Sequence, residues 1–467
     1  MPSRTDVLVL GAGVAGHCAA LAAADAGAKV LLLEKSGQPG GSSAIAGGAF
    51  AFVGTDMQIA TGATDSLDAF RRDLLESGKH KNSIAMVDRF IASQLDAYGF
   101  LRAHGVKFDL HPGDSRIHLT GTGRAITTLH MAVHAHPNIG FFSKSAAMRL
   151  HRSPASGRVD TVDVYFGDRE MEITVDLGVV LTTGGFSRSQ ELMQVYAPEL
   201  ANAVKHGGVG NMGDGILMAS DLGAAHVDLG YVTGSFGGAI RNYPDVVHAA
   251  NEVAPLLFSF LDGGILVNKH GKRFVNEGQS YKLISNAGMK QPEGIGFQIF
   301  DQKLMDQSMG DSSVNNYKEG LIGGYIQQGD SIAAIATRMG IDTATLEATV
   351  AAYNAAVAQG TDAEFGREKT LVAIDTAPYY IAASANAITS TYGGLAVDGN
   401  LAVLNWFGET IEGLFAAGEV AGGFHGAGYY SASSLSSSAT FGMCAGQTAA
   451  RAKSVAEARH EALSLEG

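Results

Sequence analysis

Val7-Leu8-Val9-Leu10 runs straight into Gly11-Ala12-Gly13-Val14-Ala15-Gly16, an alanine-rich stretch follows, and Val30-Leu31-Leu32-Leu33 then ends on Glu34. The two short apolar runs read as buried parallel strands and the alanines between them as a helix, giving a βαβ unit. Gly11 allows the tight turn, Gly13 lets the backbone approach a pyrophosphate at the positive end of the helix, and Gly16 lets that helix close on the strand. Glu34 ends the second strand, where a carboxylate can accept both hydroxyls of a ribose. The glycine spacing alone is common. Strand, helix, strand and acid in this order predict a dinucleotide ligand, held by Gly11, Gly13, Ala15, Gly16, Glu34 and Lys35.

A chain of 467 residues is too long for one simple core, which predicts two domains or one domain with a large insertion. Charged residues make up 17% of it, and it has no apolar run of bilayer length, so a membrane span is not expected. The net charge of −13 has no basic block to offset it, which argues against nucleic acid and anionic membranes as partners and for a small-molecule substrate. Cys18 and Cys444 belong to no CxxC or CxxCH pattern, so no disulfide, metal site or c-type haem is predicted. The chain enters its first strand without a basic and apolar leader, from which a cytoplasmic location is expected.

After Glu34, the segment from Gly40 to Gly48 contains only glycine, serine and small apolar residues, and a flat group is expected to lie against it. Residues 65–104 read as helices, and residues 141–180 as alternating strands that form a β-meander returning to the nucleotide sheet. A buried strand then enters a second glycine turn at Thr182-Thr183-Gly184-Gly185-Phe186. From about 230 to 370 the pattern changes, with a strand pair expected around Gly264–Val267 and Arg273–Val275 and a helical stretch from Ile332 to Gln359. The fold class is therefore α/β. We expect a Rossmann-like nucleotide-binding domain in two parts, residues 1–229 and 371–467, and an inserted α+β capping domain over residues 230–370.

Seven motifs in this order resemble the flavoprotein family of fumarate reductase, succinate dehydrogenase and 3-ketosteroid Δ1-dehydrogenase. They are the N-terminal fingerprint with Glu34, Gly40 to Gly48, Thr182 to Phe186, Gly213-Asp214-Gly215, Gly271-Lys272-Arg273-Phe274-Val275-Asn276-Glu277, Gly393-Gly394, and Gly418-Glu419 with Thr440-Phe441-Gly442. The resemblance covers nearly the whole chain and implies FAD bound beneath a mobile cap. It assigns Gly40, Gly41, Ser42, Ser43, Gly47, Gly48, Thr183, Gly184, Asp214 and Gly418 to the cofactor site, and Glu419 to the ribityl chain. Backbone N–H groups around Ser434 and Leu435, at a helix start, would face N1 and O2 of the reduced flavin. Non-covalent FAD is expected, because the histidine that succinate dehydrogenases use in the segment after Glu34 is missing.

The same resemblance separates the chemistries. Dicarboxylate reductases place a proton-donating arginine after the NE of the cap strand, and here that position is Tyr281; the relay positions fall on Leu257 and Phe260. Their carboxylate-gripping histidine falls on Ser390, and the arginine after HGAN falls on Tyr429. Ketosteroid dehydrogenases carry NExxxY, which Asn276-Glu277-Gly278-Gln279-Ser280-Tyr281 matches. Tyr281 would take the α-proton of a ketone while the β-hydrogen leaves as hydride to flavin N5, and Tyr429 or Tyr430 would hold the carbonyl oxygen. The competing reading is that these tyrosines pack in a core.

The Tyr-Pro-Gly-Pro-Gly run of the steroid enzymes is absent, and Tyr98 stands as a candidate for their further tyrosine. The expected reaction is thus the α,β-desaturation of a cyclic ketone, a 3-oxosteroid or a substituted cyclohexanone such as a 4-oxocyclohexanecarboxylate. A quinone-like acceptor or dioxygen would remove the electrons. The alternative is an ene-reductase of an activated alkene. Arg116, His118 and Arg124 could meet a substrate carboxylate or be solvated loop residues, and His248 and His425 could touch substrate or simply pack.

Overall fold

The computed structural model describes residues 1–201, 203–244, 253–279, 281–310 and 314–452; the side chains at 233, 281 and 282 also lie outside that description. Two units divide the chain, one made of residues 1–197, 208–232 and 390–467, the other of 198–207 and 233–389.

In the first unit, β1 (Arg4–Leu10), α1 (Val14–Asp25) and β2 (Val30–Leu33) form the βαβ unit that the glycine spacing predicts. Val7, Leu8 and Val9 are fully buried because β1 lies between two parallel neighbours, with Val9 opposite Leu32 on β2 and opposite Val180 on the other side. The sheet continues through β3 (Ile139–Phe142), β4 (Ser145–Arg152), β5 (Val159–Phe166) and β6 (Arg169–Leu181), and finishes with β7 (Ala402–Leu404) and β8 (Thr410–Ala416). Its order is β7-β8-β6-β1-β2-β3, with β4 and β5 forming an antiparallel meander onto β6. All partners of β1 and β2 are parallel, which places the carboxyl ends of the central strands, and the turns that leave them, on one edge.

Three further helices of this unit matter for the site: α2 (Arg124–Ala135), α3 (Asp214–Asp221) and α4 (Ser433–Ala450). The last packs against α1 at very short range. A β-carbon on Gly442 would come within 2.3 Å of the Ala15 carbonyl oxygen, and one on Gly446 within 2.2 Å of the Ala19 carbonyl oxygen. Two glycines one turn apart therefore let α4 lie directly on the helix whose start forms the pyrophosphate turn.

The second unit is built on the 13-residue strand Tyr379–Thr391, which pairs antiparallel with Gly296–Asp301. Ile265–Val267 adds to the far side of Gly296–Asp301. The strand pair expected between Gly264–Val267 and Arg273–Val275 is reduced to one bridge, Val267 with Arg273. The reason is electrostatic. Arg273 is drawn into a buried cluster in which its guanidinium holds Glu277 at 2.6 Å and Asp362 at 2.8 Å, with all three side chains at most 2% exposed. Glu277 also accepts the Leu266 N–H at 3.0 Å, and Arg367 caps the carbonyls of Gly264, Phe260, Lys369 and Thr370. The segment from Ile332 to Gln359 is two helices, Ile332–Arg338 and Thr343–Gln359.

Candidate functional site

The β1–α1 turn leaves the helix start open. Gly13 caps α1 without any side-chain bond of its own; the Val14 N–H goes to Ser43 Oγ, and those of Ala15 and Gly16 are left for an anion. A β-carbon on Gly16 would sit 1.9 Å from the Gly11 carbonyl oxygen, which is why only glycine lets α1 begin here. Glu34 is nearly buried and held from both sides: one carboxylate oxygen accepts Ala12 N–H at 3.0 Å, the other accepts Ser36 N–H at 2.8 Å and its hydroxyl at 2.6 Å. Ser36 was not among the residues expected at the site. It fixes a carboxylate that still has lone pairs for a ribose.

The small-residue segment folds beside this turn. Gly40 N–H bonds Ala12 O, and Ser43 Oγ accepts the Val14 N–H at 3.2 Å. Gly48 O accepts from Thr120, whereas a β-carbon on Gly41 or Gly47 would meet nothing within 4 Å. Lys35 and Asp214, the first residue of α3, form an ion pair with each other. Thr183 Oγ1 is buried and has no hydrogen-bond partner, and Gly184 lies against Asn211.

Asn211 is the residue that sequence reasoning missed most clearly. Its Nδ2 donates to Ser42 Oγ at 3.0 Å and to Glu419 Oε2 at 3.2 Å. Glu419 Oε1 accepts the Thr391 N–H at 2.9 Å. Asn211 stands in the glycine-rich run Gly210–Gly215, and a polar side chain in such a loop was its only signal. Burial pushes the Glu419 carboxyl up to about 7, while its bonds from Thr391 and Asn211 hold it lower than burial alone would. The sign follows. The folded chain holds this proton to higher pH than the unfolded chain, so stability falls as pH rises from about 4.5 to about 7 and then levels, a cost of about 3 kcal/mol. Denaturation midpoints of the wild type and Glu419→Gln, measured from pH 5 to pH 8, should diverge in that direction; a constant difference would contradict it.

In the same unit, Tyr429 joins an aromatic trio. Its ring stacks on Tyr392 at 6.2 Å and meets His425 at 5.5 Å, and Tyr392 and His425 are 5.2 Å apart. Burial raises the Tyr429 phenol, and the Ser434 side chain with the backbone of Ser434 and Ala432, at the start of α4, opposes the rise. Leu435 is buried in the first turn of α4.

Tyr430 goes elsewhere. Its hydroxyl accepts from Arg116 Nη1 at 3.0 Å and its ring lies 5.4 Å from Phe70. Arg116 is committed: it pairs with Asp65, with Asp73 at 2.6 Å and with Tyr430, under the Phe70 ring at 5.1 Å. His118 is buried, with Nε2 2.8 Å from Thr55 Oγ1, and Tyr98 donates to Asp56 at 2.7 Å. Arg124 is exposed. Tyr281 begins the helix Tyr281–Met289 of the second unit, but its side chain lies outside the described residues, as does all of His248.

The open start of α1, the fixed Glu34, the unpartnered Thr183 hydroxyl and the side-chain-free surface at Gly41 and Gly47 suit FAD. Among the described residues, no helix is long and apolar enough to cross a membrane, and no group of three or more His, Cys, Asp or Glu side chains could hold a metal ion. Cys18 and Cys444 are buried free thiols.

The family described as FAD binding domain matches residues 6–435. A probable fumarate reductase of Shewanella frigidimarina is 31% identical over 96% of this chain and 76% of its own. A urocanate reductase of Eggerthella lenta is 32% identical over 96% and 75%. A 4-oxocyclohex-2-ene-1-carboxylate 5-dehydrogenase of Sinomonas cyclohexanicum is 30% identical over 73% and 61%. Among solved structures, the open conformation of a flavocytochrome c3 fumarate reductase superposes with a TM-score of 0.83 at 30% identity, covering 96% of this chain and 78% of that one. The 3-ketosteroid Δ1-dehydrogenase of Sterolibacterium denitrificans, at 22% identity and a TM-score of 0.78 over 96% and 100%, shares the fold. With the family matched across most of its length and an FAD-suited turn at its start, this chain belongs to the FAD-binding flavoprotein family that includes the fumarate reductases and is an FAD-dependent oxidoreductase.

Proposed function

We propose that the protein desaturates a cyclic ketone, forming the double bond α,β to the carbonyl. The observation that carries this reading is the trio Tyr392, His425 and Tyr429, which presents aromatic faces and a phenol at the position where the dicarboxylate reductases it resembles have an arginine. Such a surface suits an apolar ring bearing a neutral ketone better than a dicarboxylate. The start of α4, through Ser434 and Ala432, opposes the rise that burial gives the Tyr429 phenol, and a neutral phenol there would donate its hydrogen. The positive end of the helix strengthens that donor, which would hold the ketone oxygen as enolate charge grows.

Tyr281, at the NExxxY spacing, would receive the α-proton. FAD, when bound, supplies the two-electron acceptor for the β-hydrogen. Gly11, Gly13, Ala15, Gly16, Glu34, Lys35, Gly40 to Ser43, Gly47, Gly48, Thr183, Gly184, Asp214, Gly418, Glu419, Ser434 and Leu435 would hold it. An external acceptor, quinone-like or dioxygen, would then restore the oxidised protein. The related cyclohexenecarboxylate dehydrogenase supports a substituted cyclohexanone as the substrate. Tyr429→Phe should lower kcat by about 10²- to 10³-fold with the flavin spectrum kept, in stopped-flow assays with such a ketone.

The reverse reading, an ene-reductase, has its own support, since relatives at 31% and 32% identity across 96% of the chain carry reductase names. One anaerobic experiment separates the two. Bleaching of the visible flavin absorption on adding a saturated cyclic ketone favours desaturation. Absence of bleaching across 3-oxosteroids and 4-oxocyclohexanecarboxylate, with fast reoxidation of the reduced protein by an enone, favours reduction.

A further inference from the structure

Three histidines form a file from the surface of α2 to the cofactor turn. His134 Nε2 lies 3.1 Å from His130 Nε2, His130 Nδ1 lies 3.1 Å from His17 Nε2, and His17 Nδ1 lies 2.9 Å from the Gly13 carbonyl oxygen. His17 is fully buried, His130 partly so, and His134 is exposed. The hydrogen positions follow from the buried end. A carbonyl only accepts, so the hydrogen of His17 is on Nδ1, and its Nε2 presents a lone pair. That lone pair must receive the Nδ1–H of His130. His17 is fully buried with only the Gly13 carbonyl and His130 as polar neighbours, so an uncharged imidazole keeps this order. His130 is left with a lone pair on Nε2, aimed at the Nε2 of His134.

We propose that these two facing Nε2 atoms bind one late first-row divalent cation, of the class of Zn²⁺, Ni²⁺ or Cu²⁺, with water completing its coordination. Metal–imidazole bonds of about 2.0–2.1 Å place two nitrogens about 2.9 Å apart at a right angle and about 3.3 Å apart at a tetrahedral angle. The observed 3.1 Å is an edge of such a polyhedron. His130 and His134 are four residues apart on one helix, the spacing at which two imidazoles share a cation, and imidazole is the ligand these ions favour. Phe141 packs against both rings, 4.7 Å and 5.6 Å away, and limits their rotation.

The bond from His130 Nδ1 to His17 is the outer-shell support that orients a ligating histidine, and it ends on Gly13 of the cofactor turn. On binding, the hydrogen of His134 moves from Nε2 to Nδ1 through solvent, which frees the Nε2 lone pair for the cation. The site stands apart from the proposed reaction.

The test is equilibrium dialysis of the untagged, FAD-loaded protein against Zn²⁺ near neutral pH, with flavin absorbance reporting that each variant is folded and loaded. The wild type should retain one Zn²⁺ per chain. His134→Ala, on the surface, should weaken binding at least about 10-fold, and His17→Gln, which touches no cation, by about 10- to 100-fold. His270→Ala, at an exposed position in the other unit, should leave it unchanged. No saturable binding to the wild type, equal affinity in His134→Ala, or an equal loss in His270→Ala would overturn the proposal.

Discussion

Tyr281→Phe should lower turnover of a saturated cyclic ketone by about 10²- to 10⁴-fold while the flavin spectrum and content stay as in the wild type, because it removes one hydroxyl and nothing else. The size follows from the role proposed for it. An unperturbed phenol titrates near 10 and is a poor base at neutral pH, so the step depends on a hydroxyl that passes its proton on. Flavin bleaching in single-turnover stopped flow, with substrate deuterated at the α-carbon, reads the step directly. Unchanged bleaching would remove Tyr281 from the chemistry and the desaturase reading with it. A Tyr281→Phe protein that also loses its flavin would instead assign the residue a structural part.

Glu277→Ala should destabilise the protein by about 3–5 kcal/mol, the largest effect expected of any single substitution in the second unit. It leaves Arg273 in a site where the arginine is 2% exposed and keeps Asp362 as its one carboxylate partner, and it strands the Leu266 N–H. A buried pair adds little over an apolar replacement of both partners, but removing Glu277 leaves two buried guanidinium groups, Arg273 and Arg367, the latter 3.6 Å from Glu277, with Asp362 as the remaining carboxylate of the cluster. Chemical denaturation should therefore show Glu277→Ala far below the wild type, and Glu277→Ala combined with Arg273→Met partly restored. Equal losses in the single and double variants would mean that packing, not charge, sets the cost. Tyr281 comes four positions after Glu277, so this cluster fixes the chain shortly before the Tyr281–Met289 helix.

What could be read in advance was local. The β1-α1-β2 unit announces itself because the 2.0 and 3.6 periods, the glycine spacing and the terminal acid all lie within 34 residues. The helices between 65 and 104 and the meander of 141–180 follow from the same short-range patterns. Arg116 shows the limit. Its sequence surroundings are those of a solvated loop cation, and what ties it down is Asp65, Asp73 and Tyr430, residues 51, 43 and 314 positions away. The expected strand pairing of Arg273–Val275 failed for a related reason, since Asp362 lies 89 positions from the arginine it claims.

The order of motifs was thus enough to determine the fold class, the family and the cofactor, because each motif closes on itself within a turn or two of backbone. Only the tertiary structure decided that Asn211 joins Ser42 to Glu419, that adjacent Tyr429 and Tyr430 serve different neighbours, and that His17, His130 and His134 share one file of hydrogen bonds. Except for His130 with His134, one turn apart on α2, those contacts join residues that chain connectivity leaves far apart. They form because packing α1 against its neighbours and closing the sheet bury polar groups that must then find partners, wherever in the chain those partners lie.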